Sequence, residues 1–360
     1  MLLLQSISLL QFKNYSNKVL HFGSKVTGIS GKNGVGKTNI LDAIYYLCFT
    51  KSYFSSSDQV NVQHGARGFR IEGKFDKQQE KEIATCILRE NNKKEFSVNQ
   101  ELYDRFSLHI GRYPCVVIAP DDAVLITGGS EERRRFLDSL LSQIDADYLQ
   151  SLIVYNKVLQ QRNSFLKSAA ETGRLNEDLL TILNQQLSVP GNQIFEKRSQ
   201  FLVSFLPRVK RLYSEIAQSD EDLSLIYESR LQNARFSDLL SSTLHKDKVL
   251  QRTTTGIHRD DILLQFNNQP FKNIASQGQR KSLLFALKLI ELEVITKTKA
   301  IAPILLLDDV FEKLDDERIT NLLRKVCNEN KGQVFITDTN GERLKEHLEK
   351  IDADYELISL

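Results

Sequence analysis

An α/β fold of mixed sheets with flanking helices, carrying an inserted α-helical subdomain, is predicted from three features of the sequence. A glycine-rich turn, Gly31-Lys32-Asn33-Gly34-Val35-Gly36-Lys37-Thr38-Asn39, stands between a strand-like and a helix-like stretch. An apolar run from Pro303 to Leu307 ends in two carboxylates, Asp308 and Asp309. From about Ser130 to about Lys248 the hydrophobic pattern changes to a sustained three-to-four-residue period.

Each element follows from local pattern. Leu2–Phe12, Val19–Phe22 and Lys25–Ser30 read as strands, and Ile40, Ala43, Ile44 and Leu47 repeat at helical spacing immediately after the glycine turn. Glu82–Glu90 and Glu95–Asn99 flank the polar turn Asn91-Asn92-Lys93-Lys94 and predict a hairpin, and Cys115–Pro120 predicts a buried strand. Phe136, Leu137, Leu140, Leu141, Ile144, Tyr148, Leu152 and Leu159 predict one long helix. Leu175, Leu179, Leu183 and Leu187 predict a second, and a third is expected after Val189-Pro190-Gly191, kinked at Pro207. Alternating α/β character returns in Asp260–Phe271, the helix beginning near Lys281, and the strands ending at Asp309 and Thr337. The expected division is a two-part α/β domain, residues 1–128 and 250–360, around a helical insertion, residues 129–249.

Composition limits the function class. With 360 residues and 41% hydrophobic composition the chain can bury a sizeable core, and 48 basic against 46 acidic residues leave only +2, so a nucleic-acid surface must be a local patch. Cys48, Cys86, Cys115 and Cys327 form no CxxC pair, which argues against a zinc site and a disulfide framework. No apolar run reaches the roughly 18 residues of a membrane span, and the first residues lack the basic start and cleavage site of a leader; a cytoplasmic protein is expected.

Gly31, Gly36, Lys37 and Thr38 satisfy the G-x-x-x-x-G-K-[ST] phosphate-loop pattern. The glycines let successive amides face phosphate oxygens, the following helix directs its positive end at them, Lys37 reaches the β- and γ-phosphates, and Thr38 is placed for Mg2+. Such a loop requires a carboxylate at the end of a buried strand. Asp308 fits as the metal partner and Asp309 as the base or water-orienting group, although adjacent acids after an apolar run can also cap the next segment. Thr38 and Asp308 lie 270 positions apart, far more than a compact phosphate-loop domain needs, so something large is inserted.

Ser276-Gln277-Gly278-Gln279 precedes a run of good helix formers. The turn offers a hydroxyl and free amides to an anion, or serves simply as a serine N-cap. Two basic clusters, Arg133-Arg134-Arg135 and Arg208 with Lys210 and Arg211, can meet DNA phosphates or form solvated helix faces, and Glu131 and Glu132 favour the latter for the first.

In this order, the phosphate loop, helical insertion, Ser-Gln-Gly-Gln, Leu-Leu-Leu-Asp-Asp and Lys313-Leu314-Asp315 resemble the ABC-type ATPase heads of the SMC-like group, and within it the RecF family of bacterial DNA replication and repair proteins. The likeness runs nearly end to end. It includes Phe12-Lys13-Asn14-Tyr15, Ala119-Pro120-Asp121-Asp122, Arg133 to Asp138, Gln161-Arg162-Asn163 and Gly256-Ile257-His258-Arg259-Asp260-Asp261. The resemblance implies ATP-driven homodimerisation on gapped or single-strand/duplex junction DNA, with each ATP–Mg2+ held by one phosphate loop and clamped in trans by Ser276 to Gln279 of the other copy. It implies slow hydrolysis through Asp309, an interface loop at Asp315, and work with RecR and RecO in RecA loading and the SOS response.

Two places depart from the family pattern. Ser52-Tyr53 is followed by Phe54-Ser55-Ser56-Ser57 where members often carry an arginine, which leaves Lys51 as the nearby cation, and Thr337-Asp338-Thr339 lacks the histidine that ABC transporters place there. The alternatives are a clamp that uses ATP only to dimerise, or the nucleotide-binding subunit of another ABC-type assembly. The second predicts a Leu-Ser-Gly-Gly-Gln signature and that terminal histidine, and neither is present.

Overall fold

The structure, a computed structural model, describes residues 1–217, 221–309 and 316–360. The chain starts with strands β1 (Leu2–Phe12), β2 (Tyr15–His21) and β3 (Val26–Ser30), helix α1 (Lys37–Phe49), and strands β4 (Phe69–Lys77), β5 (Glu80–Leu88), β6 (Lys94–Val98), β7 (Glu101–Leu102) and β8 (Cys115–Ile118). Helices α2 (Val124–Thr127), α3 (Ser130–Ile144), α4 (Ala146–Thr172) and α5 (Glu177–Ala217) follow, then β9 (Leu223–Glu228), α6 (Phe236–Ser242), α7 (Leu244–Leu250), β10 (Asp261–Phe266), β11 (Gln269–Pro270) and α8 (Phe271–Ile274). The last part holds α9 (Gln277–Lys299), β12 (Ile304–Leu307), α10 (Asp316–Leu323), β13 (Val334–Asp338), α11 (Gly341–Lys350) and β14 (Tyr355–Ser359).

Two compact units result, residues 1–122 with 291–360, and residues 123–290. The first contains an antiparallel sheet, order β2-β1-β4-β5-β6-β7, and a parallel sheet, order β14-β3-β13-β12-β8, among the described residues. Helix α1 packs on β4 and β5 of one sheet and β13 of the other. Apolar residues beyond the expected Ile40, Ala43, Ile44 and Leu47 are therefore buried too, including Leu41, Tyr45, Tyr46 and Phe49, as required of a helix between two layers. Gln333 stitches the sheets together: its Oε1 accepts from Leu4 N–H at 2.7 Å and its Nε2 donates to Leu4 O at 3.1 Å, at the register shift in β1. A buried primary amide thus satisfies the backbone groups that the irregularity frees.

The second unit is mostly helical, with a small antiparallel sheet, β11-β10-β9. Its bounds differ from the expected 129–249. Strand β10 pairs with β9 along Asp261–Phe266, and Arg133 of α3 makes a two-pronged ion pair with Asp261 at 2.7 and 2.9 Å, so residues 250–290 pack with the insertion.

Three helix expectations are corrected. The long helix from Ser130 breaks at Asp145, whose extended backbone and side-chain bond to Tyr148 N–H cap a new helix, α4. The break at Val189-Pro190-Gly191 does not occur; α5 runs through both Pro190 and Pro207 for 41 residues. Gly191 is needed there because a Cβ would come within 2.5 Å of the Phe236 ring and 3.2 Å of Tyr155, so tertiary contact outweighs the local cost of proline and glycine. The apolar stripe at its start also shifts: Leu180, Leu183 and Leu187 are buried while Leu179 is exposed.

Buried charge organises this unit. Arg198, 1% exposed, donates to Asp138 at 2.7 Å, Asp260 at 3.0 Å, the Ile257 carbonyl at 2.9 Å and the Tyr148 hydroxyl at 3.0 Å. Tyr227 donates a further bond to Asp260. Burial raises the Asp260 carboxyl, and Arg198 and Tyr227 oppose that shift.

Candidate nucleotide site

The phosphate loop connects β3 to α1 in the first unit, at the C-terminal ends of the parallel strands where α/β sheets place ligands. Gly36 precedes the helix with φ 111°, and a Cβ there would lie 2.6 Å from Asn14 Nδ2 and 2.7 Å from the Tyr15 hydroxyl. Both backbone conformation and space demand glycine. Lys37 is buried, its ammonium held by the carbonyls of Gly31 at 2.8 Å and Lys32 at 3.2 Å. Lys32, Asn33 and Gly34 are exposed, with Val35 half-buried and Asn39 bonded to Asn14 at 2.8 Å.

Folding closes the 270-residue gap. The Thr38 hydroxyl is 3.0 and 2.9 Å from the two Asp308 carboxylate oxygens. Strand β12 lies between β8 and β13 in the parallel sheet, with β3 on the other side of β13, which fixes Asp308 opposite the loop. Burial raises the Asp308 carboxyl above its ordinary value, while bonds from Thr337 and Thr38 and the field of Lys37 oppose the shift. A hydroxyl and a carboxylate, hard oxygen donors beside a phosphate loop, fit Mg2+, which keeps several waters and phosphate oxygens instead of a full protein cage.

Sequence reasoning missed the parts that hold this pair. Thr337, at the end of β13, donates to Asp308 Oδ1 at 2.7 Å and accepts the Asp309 N–H at 3.0 Å. Asp309 itself has a left-handed backbone, φ 43°, which a non-glycine residue adopts only where its surroundings hold it. Asn14 donates to Val35 O at 2.8 Å and the Tyr15 hydroxyl to Gly36 O at 3.2 Å, so the β1–β2 turn braces the loop. Burial lifts the Tyr15 phenol to about 12, keeping it a donor. Fully buried Asp42 ties Lys13, at 2.5 Å, to the Ser52 hydroxyl and Tyr53 N–H, both at 2.7 Å. The signal available for these was the Phe12-Lys13-Asn14-Tyr15 block and a hydroxyl, Thr337, closing an apolar strand.

The remaining expected sites lie in the second unit or outside the described residues. Ser276 and Gln279 form a reciprocal capping box at the start of α9: Ser276 N–H donates to Gln279 Oε1 at 2.8 Å and Gln279 N–H to Ser276 Oγ at 3.2 Å. Ser276 and Gln277 are exposed, and Gly278 is half-buried. Arg133 is engaged by Asp261, and Arg134 donates to Asp260 O at 2.7 Å, so these two half-buried arginines brace this unit. Arg135 is exposed and pairs with Glu131 at 2.6 Å; Lys210 and Arg211 are exposed and Arg208 is half-buried. Asp315 lies outside the described residues. Where the sequence lacks a transporter-type histidine, Asp338 is fixed by Arg343 at 2.6 and 3.0 Å. No helix among the described residues is long and apolar enough to cross a membrane.

Two layered sheets around α1, with a phosphate loop joined to a distant strand-end carboxylate, define a P-loop head of the SMC-like class. The family model for the RecF/RecN/SMC N terminal domain matches residues 3–355. The SMC head of Pyrococcus furiosus shares the fold, with a TM-score of 0.56 at 16% identity, over 100% of this chain and 93% of that one. Likeness to individual proteins is narrower: the DNA replication and repair protein RecF of Flavobacterium johnsoniae is 42% identical over 99% of both chains. That of Phocaeicola vulgatus is 40% identical over 100% of this chain and 96% of the relative. The solved recombination mediator protein RecF–ATPrS in the RecFOR pathway superposes with a TM-score of 0.89 at 29% identity, covering 99% of this chain and 96% of that chain. The chain belongs to the RecF family.

Proposed function

We propose that this protein is a cytoplasmic, ATP-dependent DNA-binding protein of replication and recombinational repair, in which ATP–Mg2+ closes two copies head to head on gapped or junction DNA. The observation that carries the reading is the bond from Thr38 to both Asp308 oxygens beside Lys37. In this reading Gly31 to Asn39 wrap the phosphates, Lys37 exchanges its carbonyl partners for the β- and γ-phosphates, and Thr38 and Asp308 hold Mg2+. When bound, the ion neutralises phosphate charge and polarises the γ-phosphoryl group. Asp309 accepts the proton of the attacking water, with Thr337 fixing its backbone. Exposed Ser276 and its neighbours Gln277, Gly278 and Gln279 contact the nucleotide of the partner copy, their turn already set by the capping box. Turnover is slow, a timer for release from DNA, and RecR, RecO and RecA are the proteins it serves in the RecFOR pathway. The clamp reading separates from this one by ATP turnover measured with and without DNA.

Molecular mass by light scattering, with ATP and duplex DNA, tests the proposal. Expected is a doubling of mass for the wild type, its loss in Ser276→Arg and Lys37→Arg, and a persistent dimer in Asp309→Asn. A mass that never responds to nucleotide sinks the head-to-head switch.

A further inference from the structure

Two segments of the sequence remain without a task at the nucleotide site: Gln161-Arg162-Asn163 and the stretch from Arg252 to Asp261. The second unit brings them together through bonds from Arg162 and Asn163 to Thr253, and the later segment lines a cavity of about 620 Å3. Four cations line it: Arg230 after β9, Lys246 on α7, Arg252 in the loop beyond α7, and Arg259 just before β10. All four are exposed, and none has a side-chain ion pair or hydrogen bond among the described residues. Of the two acids in the lining, Asp260 is buried and pairs with Arg198, and Glu228 is exposed. In a chain whose net charge is only +2, this is a concentrated positive patch whose mutual repulsion a polyanion would relieve.

The cations sit on a rigid frame. Asp247, fully buried, pairs with buried Arg162 at 2.9 Å and accepts from Thr254 N–H at 2.9 Å and Thr254 Oγ1 at 2.6 Å. Arg162 also donates to Thr253 Oγ1 at 2.7 Å, and Asn163 accepts from Thr253 N–H at 2.7 Å and its hydroxyl at 2.8 Å. His258 bonds Thr253 O at 3.1 Å and the Tyr155 hydroxyl at 2.7 Å. The loop that presents Arg252 is therefore pinned from beneath by residues on α4 and α7, and Arg259 follows a residue anchored to the same loop. Ion pairs buried this deeply are costly, and what they secure here is the placement of the loop above them.

We infer that this cavity holds the phosphodiester backbone of a nucleic-acid strand, as a DNA contact separate from the nucleotide site. The chemistry selects that occupant. Three of the four cations are arginines, whose planar forks match phosphate oxygens. Among the described residues no aromatic ring lines the cavity, so bases are not stacked and binding is indifferent to sequence. Leu250 is the single large apolar side chain that the described residues give the lining, too little to anchor a protein segment. The inference rests on the DNA-binding reading proposed above.

Fluorescence anisotropy of the full-length protein, with labelled single-stranded and duplex oligonucleotides titrated across NaCl concentrations, tests it. The double variant Lys246→Gln/Arg252→Gln leaves the buried frame intact. It is expected to weaken binding on the order of tenfold and to lower the slope of log affinity against log salt by about 1.4 on single strands and about 1.8 on duplex. ATP binding and melting temperature should stay at wild-type values. If that variant misfolds, Arg230→Gln/Arg259→Gln carries the same expectation. Wild-type affinity and salt slope in a folded variant overturn this inference alone. Failure of the wild type to bind DNA in any nucleotide state overturns the DNA-binding reading and the inference with it. A labelled oligoglutamate peptide that binds the wild type in place of DNA, and is lost in the variant, assigns the cavity to an acidic protein segment and overturns the phosphodiester assignment.

Discussion

Thr337→Val tests whether the carboxylate pair is positioned from β13. The substitution keeps the side-chain shape and deletes two bonds: the hydroxyl's donation to Asp308 at 2.7 Å and its acceptance of the Asp309 N–H at 3.0 Å. A bond to a charged group contributes about 1.5–3 kcal/mol and a neutral one about 0.5–1.5, so up to about 2–4 kcal/mol is at stake. In a unit of this size that is a fall in melting temperature of about 5–15 °C, read by calorimetry. Removing the Thr337 donor also strips away one of the interactions that oppose the burial-driven rise of the Asp308 carboxyl, so Mg2+-dependent ATP binding should weaken, most at the acid end of the accessible pH range. Thr337→Ser keeps the hydroxyl and should recover most of both effects. Wild-type melting and wild-type ATP affinity in Thr337→Val would refute the claim that β13 orients the pair.

Three further outcomes follow from the geometry. Gly36→Ala forces a side chain into a φ of 111° and against Asn14 and Tyr15, a strain of about 1–3 kcal/mol, and a fluorescent ATP analogue should no longer bind a protein that still folds. Asp247→Ala strands buried Arg162 and should cost about 3–5 kcal/mol in urea unfolding, whereas Arg162→Met/Asp247→Leu, which removes both charges, should cost less than the single change; the reverse order contradicts the buried-pair account. Burial holds the His109 imidazole neutral, its pKa lowered to about 4, and its Nε2–H donates to Leu47 O at 2.7 Å. The unfolded chain takes up that proton near pH 6.5, so stability falls as pH drops through 6.5 toward 4, by about 2 kcal/mol between pH 7 and 5. His109→Gln should remove that contribution from the stability profile and leave the like one of His258, whose pKa burial also lowers to about 4.

The phosphate loop was legible because its chemistry is local: glycines, a lysine and a threonine must be neighbours for one backbone turn to surround a phosphate. Asp308 was legible for a related reason, an apolar run that ends in acid. The helical unit was harder. Asp145 interrupts an apparently continuous period because an aspartate can cap from an extended backbone, which periodicity cannot register. Pro190 and Gly191 look like a break, yet Phe236 and Tyr155 pack so closely on Gly191 that the helix continues. The arginine cluster at 133–135 looked like a surface patch until Asp261 and the Asp260 carbonyl, more than a hundred residues away, engaged two of its members.

By itself the sequence determined the class of protein, through the phosphate loop, the strand-end carboxylates and the long insertion between them. Those signals lie in short segments whose residue types the chemistry cannot exchange. Tertiary structure alone decided which residues hold that chemistry in place: Thr337 on Asp308, Asn14 and Tyr15 on the loop, and the Arg162–Asp247 pair beneath Arg252. Each is a contact between distant positions, made when sheets and helices pack, and a hydroxyl or an arginine carries no mark in sequence of the partner it will find.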